Sequence, residues 1–84
     1  MDPPRPGPLT NTTVTVRDAL MTSVVARLGR KSSCSVSVDS RTYFISATAQ
    51  TITGPFEADP STRGQRIRRV LNAAIGAPQC KGDL

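Results

Sequence analysis

The sequence predicts a small α+β domain, with both helices packed on one face of a two- to three-stranded antiparallel sheet. Two stretches, 33–39 ("SCSVSVD") and 42–50 ("TYFISATAQ"), alternate apolar and polar residues, as strands buried on one face do. Two others, 16–28 and the segment from Pro60 to Gly76, carry apolar residues at three- and four-residue spacing, which is typical of amphipathic helices. The predicted order is an optional strand, a helix, two strands, an optional strand and a helix.

Both ends of the chain are expected to lie outside this domain, which is predicted to span residues 10–78. Residues 1–9 ("MDPPRPGPL") contain four prolines, so a mobile, extended arm is expected there. Residues 79–84 are expected to form a mobile tail after the last helix. The chain of 84 residues therefore holds one domain and two short extensions.

The region before the first helix allows two interpretations. Residues 11–16 ("NTTVTV") are β-branched and alternating, which indicates either a short strand or, at Thr15, the N-cap of the helix. The helix is expected to end at Gly29. Three basic residues near that end suit the negative pole of the helix dipole and need no functional role: Arg27, Arg30 and Lys31.

The two alternating stretches form a predicted hairpin with a turn at 39–41 ("DSR"). Tyr43 falls on its apolar face, whereas Phe44 falls on a face of serine and threonine. Residues 51–58 are a candidate third strand, at an edge or a bulge because of Pro55. Asp59 is then the expected N-cap of the second helix.

The composition favours an anionic partner and a dimer. Lysine and arginine total 11 against 6 acidic residues, a net charge of +5, and nine of the basic residues are arginine, whose planar fork suits phosphate and carboxylate. Only three residues are aromatic, so the core is thin and a homodimer is favoured. Nothing resembles a signal peptide or a membrane span, which predicts an intracellular protein without membrane contact.

The two cysteines, Cys34 and Cys80, are expected to be reduced in an intracellular protein, with Cys34 buried as a small apolar residue. A bridge between them stays open as an alternative. The chain has no histidine, no paired carboxylates within one element and no cysteine or glycine motif of a metal or phosphate site. We therefore expect no enzyme activity, no cofactor and no metal.

The most distinctive segment is 61–78, "STRGQRIRRVLNAAIGAP", with four arginines in seven residues and no acidic residue. Arg66 and Arg69 fall on one flank of the apolar stripe and Arg68 on the other. Arg63 lies in the first turn, where the helix dipole disfavours cations. A phosphate at the helix start would gain from these side chains and from free backbone N–H groups. The predicted anion-binding set is Arg63, Arg66, Arg68, Arg69, Arg30 and Lys31.

The order of elements resembles the double-stranded RNA-binding domain in outline. The resemblance implies that a basic second helix contacts phosphates across an RNA groove. It is one of topology: "STRGQRIRR" stands where that family has a lysine-rich cluster, and "DSR" is shorter than its first interstrand loop. The chain is therefore not assigned to the family.

Two classes of function remain after the sequence alone. The first is a basic accessory protein that binds nucleic acid, RNA above all, through the second helix. The alternative is an interaction or inhibitor module that dimerises and docks on an acidic or sheet-edge protein surface. The Ser/Thr face of the hairpin and the Pro-rich arm support the alternative, as does a composition typical of compact virus- or phage-encoded accessory proteins.

Overall fold

The two predicted helices and the hairpin between them are present, but the order differs at the start, where a strand precedes the first helix, and another strand follows the hairpin. A computed structural model describes residues 8–82, and its sheet has the antiparallel order β1-β4-β3-β2. Its elements are β1 (Thr10–Thr15), α1 (Ala19–Leu28), β2 (Ser33–Val38), β3 (Arg41–Ser46), β4 (Thr51–Phe56), α2 (Pro60–Gly76) and a 3₁₀ turn (Pro78–Cys80). The α+β class is confirmed, but the sheet has four strands rather than two or three.

The core lies between one face of the sheet and the two helices. Tyr43 and Phe56 are its two aromatic residues, and their ring centroids lie 5.2 Å apart. Tyr43 is fully buried, as predicted. The other buried apolar residues are small or aliphatic: Val16, Met21, Val24, Leu28, Cys34, Val36, Ile45, Ile52, Val70, Leu71, Ala74 and Cys80. Small and aliphatic side chains therefore make up most of the core around these two rings.

Residues 10–15 form a strand, not a helix cap. The pairing with β4 continues past Thr15, because the N–H of Val16 donates to the carbonyl of Gln50 at 2.9 Å. Helix α1 begins only at Ala19, where Asp18 is the N-cap and its Oδ1 accepts from the N–H of Met21 at 2.9 Å. The helix is thus shorter than its apolar periodicity predicted, since strand pairing takes its first residues.

Strand β4 lies inside the sheet, whereas Pro55 had suggested an edge. Along a strand, the backbone N–H and C=O groups of successive residues point alternately to the two sides. Because Gln50 hydrogen-bonds Val16, the backbone groups of the even-numbered residues of β4 are the ones that form hydrogen bonds with β1. Pro55 therefore points toward β3, and the β3–β4 pairing stops before it, at Thr53. The hydroxyl of Tyr43 donates to the Pro55 carbonyl at 2.8 Å in place of a backbone N–H. An interior proline is tolerated because the β3–β4 pairing has ended before it, so no β3 carbonyl in the ladder depends on its missing N–H.

Gly54 makes room for the Tyr43 ring. A Cβ atom at Gly54 would lie 2.4 Å from Cδ1 of Tyr43, inside van der Waals contact. We expect Gly54→Ala to lower the free energy of unfolding by about 2 kcal/mol or more, because a buried ring has to move. Gly64→Ala is the matched control, since its Cβ would meet nothing within 4 Å and helix propensity favours alanine by about 0.5–1 kcal/mol. Urea unfolding of both variants checks the prediction, which is a lower free energy of unfolding for Gly54→Ala and a higher one for Gly64→Ala.

The C-terminal segment belongs to the fold, although residues 79–84 were expected to form a separate tail. Cys80 is fully buried and forms a disulfide with Cys34 of β2, so the expectation of reduced cysteines is wrong. The Gln79 amide donates to the Ser35 carbonyl at 2.9 Å, and the N–H of Gly82 donates to the Arg27 carbonyl at 3.0 Å. The segment through residue 82 is held against β2 and the end of α1.

The predicted arm lies largely outside the described residues, which begin at residue 8. Within residues 8–82, neither helix combines the length and the hydropathy that a membrane span requires.

Candidate functional site

Arg66, the centre of the predicted anion-binding helix, lies inside an ion-pair network. Its side chain is only 13% exposed, and its Nε donates to the carboxylate of Glu57, which is 5% exposed. Its Nη1 lies 3.4 Å from Asp39 Oδ2 and 3.4 Å from the Tyr43 hydroxyl. Arg66 therefore joins α2 to the end of β4, to β3 and to the β2–β3 turn.

Arg69, which lies one helical turn after Arg66 in α2, also contacts the β2–β3 turn. Its Nη2 lies 2.9 Å from Asp39, whose carboxylate thus accepts from two arginines. Asp39 and Ser40 have positive φ angles of 52° and 61°, the conformation that a two-residue hairpin turn requires. Aspartate tolerates this backbone, and the tight turn directs its carboxylate at α2.

Burial and hydrogen bonding act in opposite directions on Arg66. Burial lowers its pKa, while hydrogen bonds to Glu57 and Tyr43 raise it, and the net pKa lies above the ordinary value. Arg66 stays charged as a result. Oε2 of Glu57 is buried and has no hydrogen-bond partner among the described residues, so the ion pair with Arg66 is the described contact that compensates this buried carboxylate.

The absence of acidic residues in 61–78 gave the wrong impression of α2. The arginines have acidic neighbours in space, contributed by Asp39 and Glu57. Arg63 is half-buried and Arg68 is exposed, and neither forms an ion pair within residues 8–82. Two of the four predicted α2 site residues are thus engaged in the fold, and anion binding by the other two stays a prediction.

The remaining carboxylates of the described residues cap the two helices. Asp18 caps α1, and Asp59 caps α2 as predicted, accepting from the N–H and the hydroxyl of Thr62, both at 2.9 Å. These hydrogen bonds hold the pKa of Asp59 below its usual value. Every carboxylate in residues 8–82 therefore has a structural partner, while most of the basic side chains have no ionic one.

Four basic residues lie on the two segments that meet where α1 ends and the C-terminal segment returns. This group, the basic end, consists of Arg27, Arg30, Lys31 and Lys81. Lys31 Nζ donates to the carbonyl of Gln79 at 3.3 Å, and Arg27 Nη2 donates to the carbonyl of Ala77 at 3.3 Å. No member forms an ion pair within the described part of the chain.

Lys81 belongs to the basic end because the C-terminal segment folds back against the end of α1. Gly82 lies so close to the last turn of α1 that a Cβ on it would come within 1.7 Å of the Leu28 carbonyl oxygen. Arg30, Lys31 and Lys81 are exposed, and Arg27 is half-buried. Sequence reasoning found Arg30 and Lys31 but not Lys81, because it placed residue 81 in a separate tail. The one signal for it was the possible bridge between Cys34 and Cys80.

The outer face of the sheet is a second feature of the surface. It carries no charged residue within the four strands, and its serines and threonines surround Phe44, which is 45% exposed. An exposed ring on such a face is a candidate contact for a base or for another protein.

Comparison with known proteins identified no relative: no family model, no curated protein and no solved structure matches the chain. The outline resemblance to the double-stranded RNA-binding domain has no support from a matching structure. The function has to be argued from the residues of this chain.

Proposed function

We propose that this protein is a non-enzymatic binding domain whose basic end binds a phosphate polyanion, with nucleic acid, and RNA first, as the ligand. The observation that carries the proposal is the distribution of charge. The carboxylates of residues 8–82 are used in helix caps and in the Arg66 network, whereas none of them forms an ion pair with the four cations of the basic end.

The chemistry of these side chains suits phosphate. Lys31 makes one long hydrogen bond, so its other two N–H groups are available to a ligand. Arg30 and Lys81 make no side-chain hydrogen bond among the described residues and are exposed. A row of phosphates gains from several such cations at once by releasing its counterions. The proposal therefore moves the site from the start of α2 to the end of α1.

The disulfide is relevant to the compartment in which the proposed binding takes place. Disulfides persist in oxidising compartments and are rare in reducing ones. We propose that the domain works in an oxidising compartment, which departs from the intracellular location that the sequence suggested.

The salt dependence of binding to a labelled RNA duplex tests the proposal. If the four cations contact phosphates, the slope of log K against log salt is expected to be about −3 to −4. Lys31→Gln is expected to weaken the slope by about one unit. Arg17→Gln, an exposed cation at the other end of α1, is the matched control and should leave the slope unchanged.

Three results would contradict this function. They are no binding to RNA or DNA duplexes at low salt, equal effects of Lys31→Gln and Arg17→Gln, or tighter binding to polyglutamate than to either duplex. The last would favour an acidic protein surface. Asp83→Asn, one residue beyond the described part, removes the nearest carboxylate in sequence and is expected to strengthen binding.

A second candidate is an interaction module that pairs through its sheet. The edge of β1 favours it, because that strand has a neighbour on one side only and its side chains are exposed or half-buried.

A further inference from the structure

The two edges of the sheet differ in whether they can accept another strand. At the β2 edge, the N–H of Ala47 donates to the Ser32 carbonyl. The backbone groups of the even-numbered residues of β2 therefore form hydrogen bonds with β3, and those of the odd-numbered residues point outward, away from the sheet. The outward carbonyl of Ser35 accepts from the Gln79 side chain at 2.9 Å, and Cys34 is bonded to Cys80. The C-terminal segment thus obstructs this edge.

The β1 edge has no such cover among the described residues. The Val16–Gln50 hydrogen bond shows that even-numbered residues of β1 bond β4, so the backbone groups of Asn11, Thr13 and Thr15 point outward. We call these groups the open edge. None of the devices that usually protect an edge strand, such as a lysine, a proline or a bulge, lies within Thr10–Thr15.

We propose that the open edge pairs with the same edge of a second copy, in antiparallel register centred on Thr13. This register places Thr13 opposite its symmetry mate and Asn11 opposite Thr15 of the partner. Each of the three outward pairs can exchange two backbone hydrogen bonds, six in all. Every side chain keeps its face, so the two sheets continue as one eight-stranded sheet.

Three observations favour a second copy over a different partner. The open edge is self-complementary, since each of its residues offers one donor and one acceptor. It is uncharged, so two chains of net charge +5 meet there without direct repulsion between side chains. The obstruction of the β2 edge leaves one open edge per chain, so pairing closes at two copies instead of growing into a filament.

Such a dimer would place two copies of the basic end on one joined sheet, although the dimer itself does not depend on the proposed phosphate binding. The C-terminal turn lies against β2, so the two basic ends would flank opposite edges of the joined sheet. Seven strand spacings separate these edges, about 34 Å. One long polyanion could then contact both ends, and the second contact would be intramolecular.

Sedimentation equilibrium of the full chain, without any polyanion, tests the dimer. We expect a mass that rises from 8.9 kDa toward twice that value between micromolar and about 1 mM concentration. Thr13→Lys and Thr13→Glu each place two like charges opposite one another and are expected to weaken dimerisation about tenfold or more. An equal mixture of the two variants is expected to restore the dimer, because the opposing charges then attract.

The mixture separates loss of pairing from loss of fold. Thr42→Lys, on β3, puts the same charge on the same face of the sheet away from β1 and is expected to leave dimerisation unchanged. A monomer at all concentrations overturns the proposal, as does equal weakening by Thr42→Lys or a mixture that stays monomeric. A monomer that instead binds an extended threonine-rich peptide also overturns it, because the edge would then serve a different chain.

Discussion

Removal of the Cys34–Cys80 disulfide is expected to lower the free energy of unfolding by about 4 kcal/mol. The bridge closes a loop with a sequence separation of 46, and the entropy that such a loop removes from the unfolded chain corresponds to roughly that amount. For a domain of this size, that is a large part of the total stability. The measurement is guanidinium unfolding of Cys34→Ala/Cys80→Ala beside the oxidised parent.

The double variant is also expected to loosen the C-terminal segment before the rest of the domain. Gln79 and Gly82 then hold that segment by only a few hydrogen bonds. Hydrogen exchange at the Gly82 amide should accelerate more than exchange at Val24, in the buried face of α1. A change in stability below about 1 kcal/mol would show that the bridge does not constrain this loop.

Loss of Arg66 is the second large effect. We expect Arg66→Met to lower the free energy of unfolding by about 3–5 kcal/mol, because it leaves the Glu57 carboxylate buried without its cation. Arg68→Met is the matched control, an exposed arginine of the same helix without a described ion pair, and is expected to stay within about 0.5 kcal/mol of the parent.

The double variant Glu57→Gln/Arg66→Met identifies the cause of that loss. It removes the buried charge as well as its partner, so we expect it to be more stable than Arg66→Met alone. Urea unfolding of the parent, Glu57→Gln, Arg66→Met and the double variant completes a double-mutant cycle. The double variant's change in unfolding free energy, minus the sum of the two single changes, gives the coupling free energy of the pair. If the double variant is no more stable than Arg66→Met, lost packing of the arginine stem is the cause and the ion pair contributes little.

Local patterns predicted the elements that depend on local physics. The hairpin of β2 and β3 follows from alternation, and the start of α2 follows from Asp59 and Pro60. Sheet order was out of reach, because the place of β4 depends on its pairing with β1 some 40 residues earlier. Pro55 pointed to an edge only because its one missing N–H could not be assigned to a side of the strand.

The candidate site shows the same limit more sharply. No acidic residue lies one helical turn from Arg66 in α2, and its acidic partners are 9 and 27 residues away in sequence. Lys81 was assigned to a tail, because its position depends on a disulfide whose partner residue lies in β2. Charge and composition indicated that the chain binds an anion, but long-range contacts decide which arginines are available for it.

Amide chemical-shift mapping with a short RNA duplex is the most direct test of where an anion binds. The basic end predicts that the perturbed amides cluster in residues 27–31 and 79–82, and that those of 61–72 change little. Perturbations concentrated along 61–72, with the basic end unaffected, would return the site to the arginines of α2 and contradict the account.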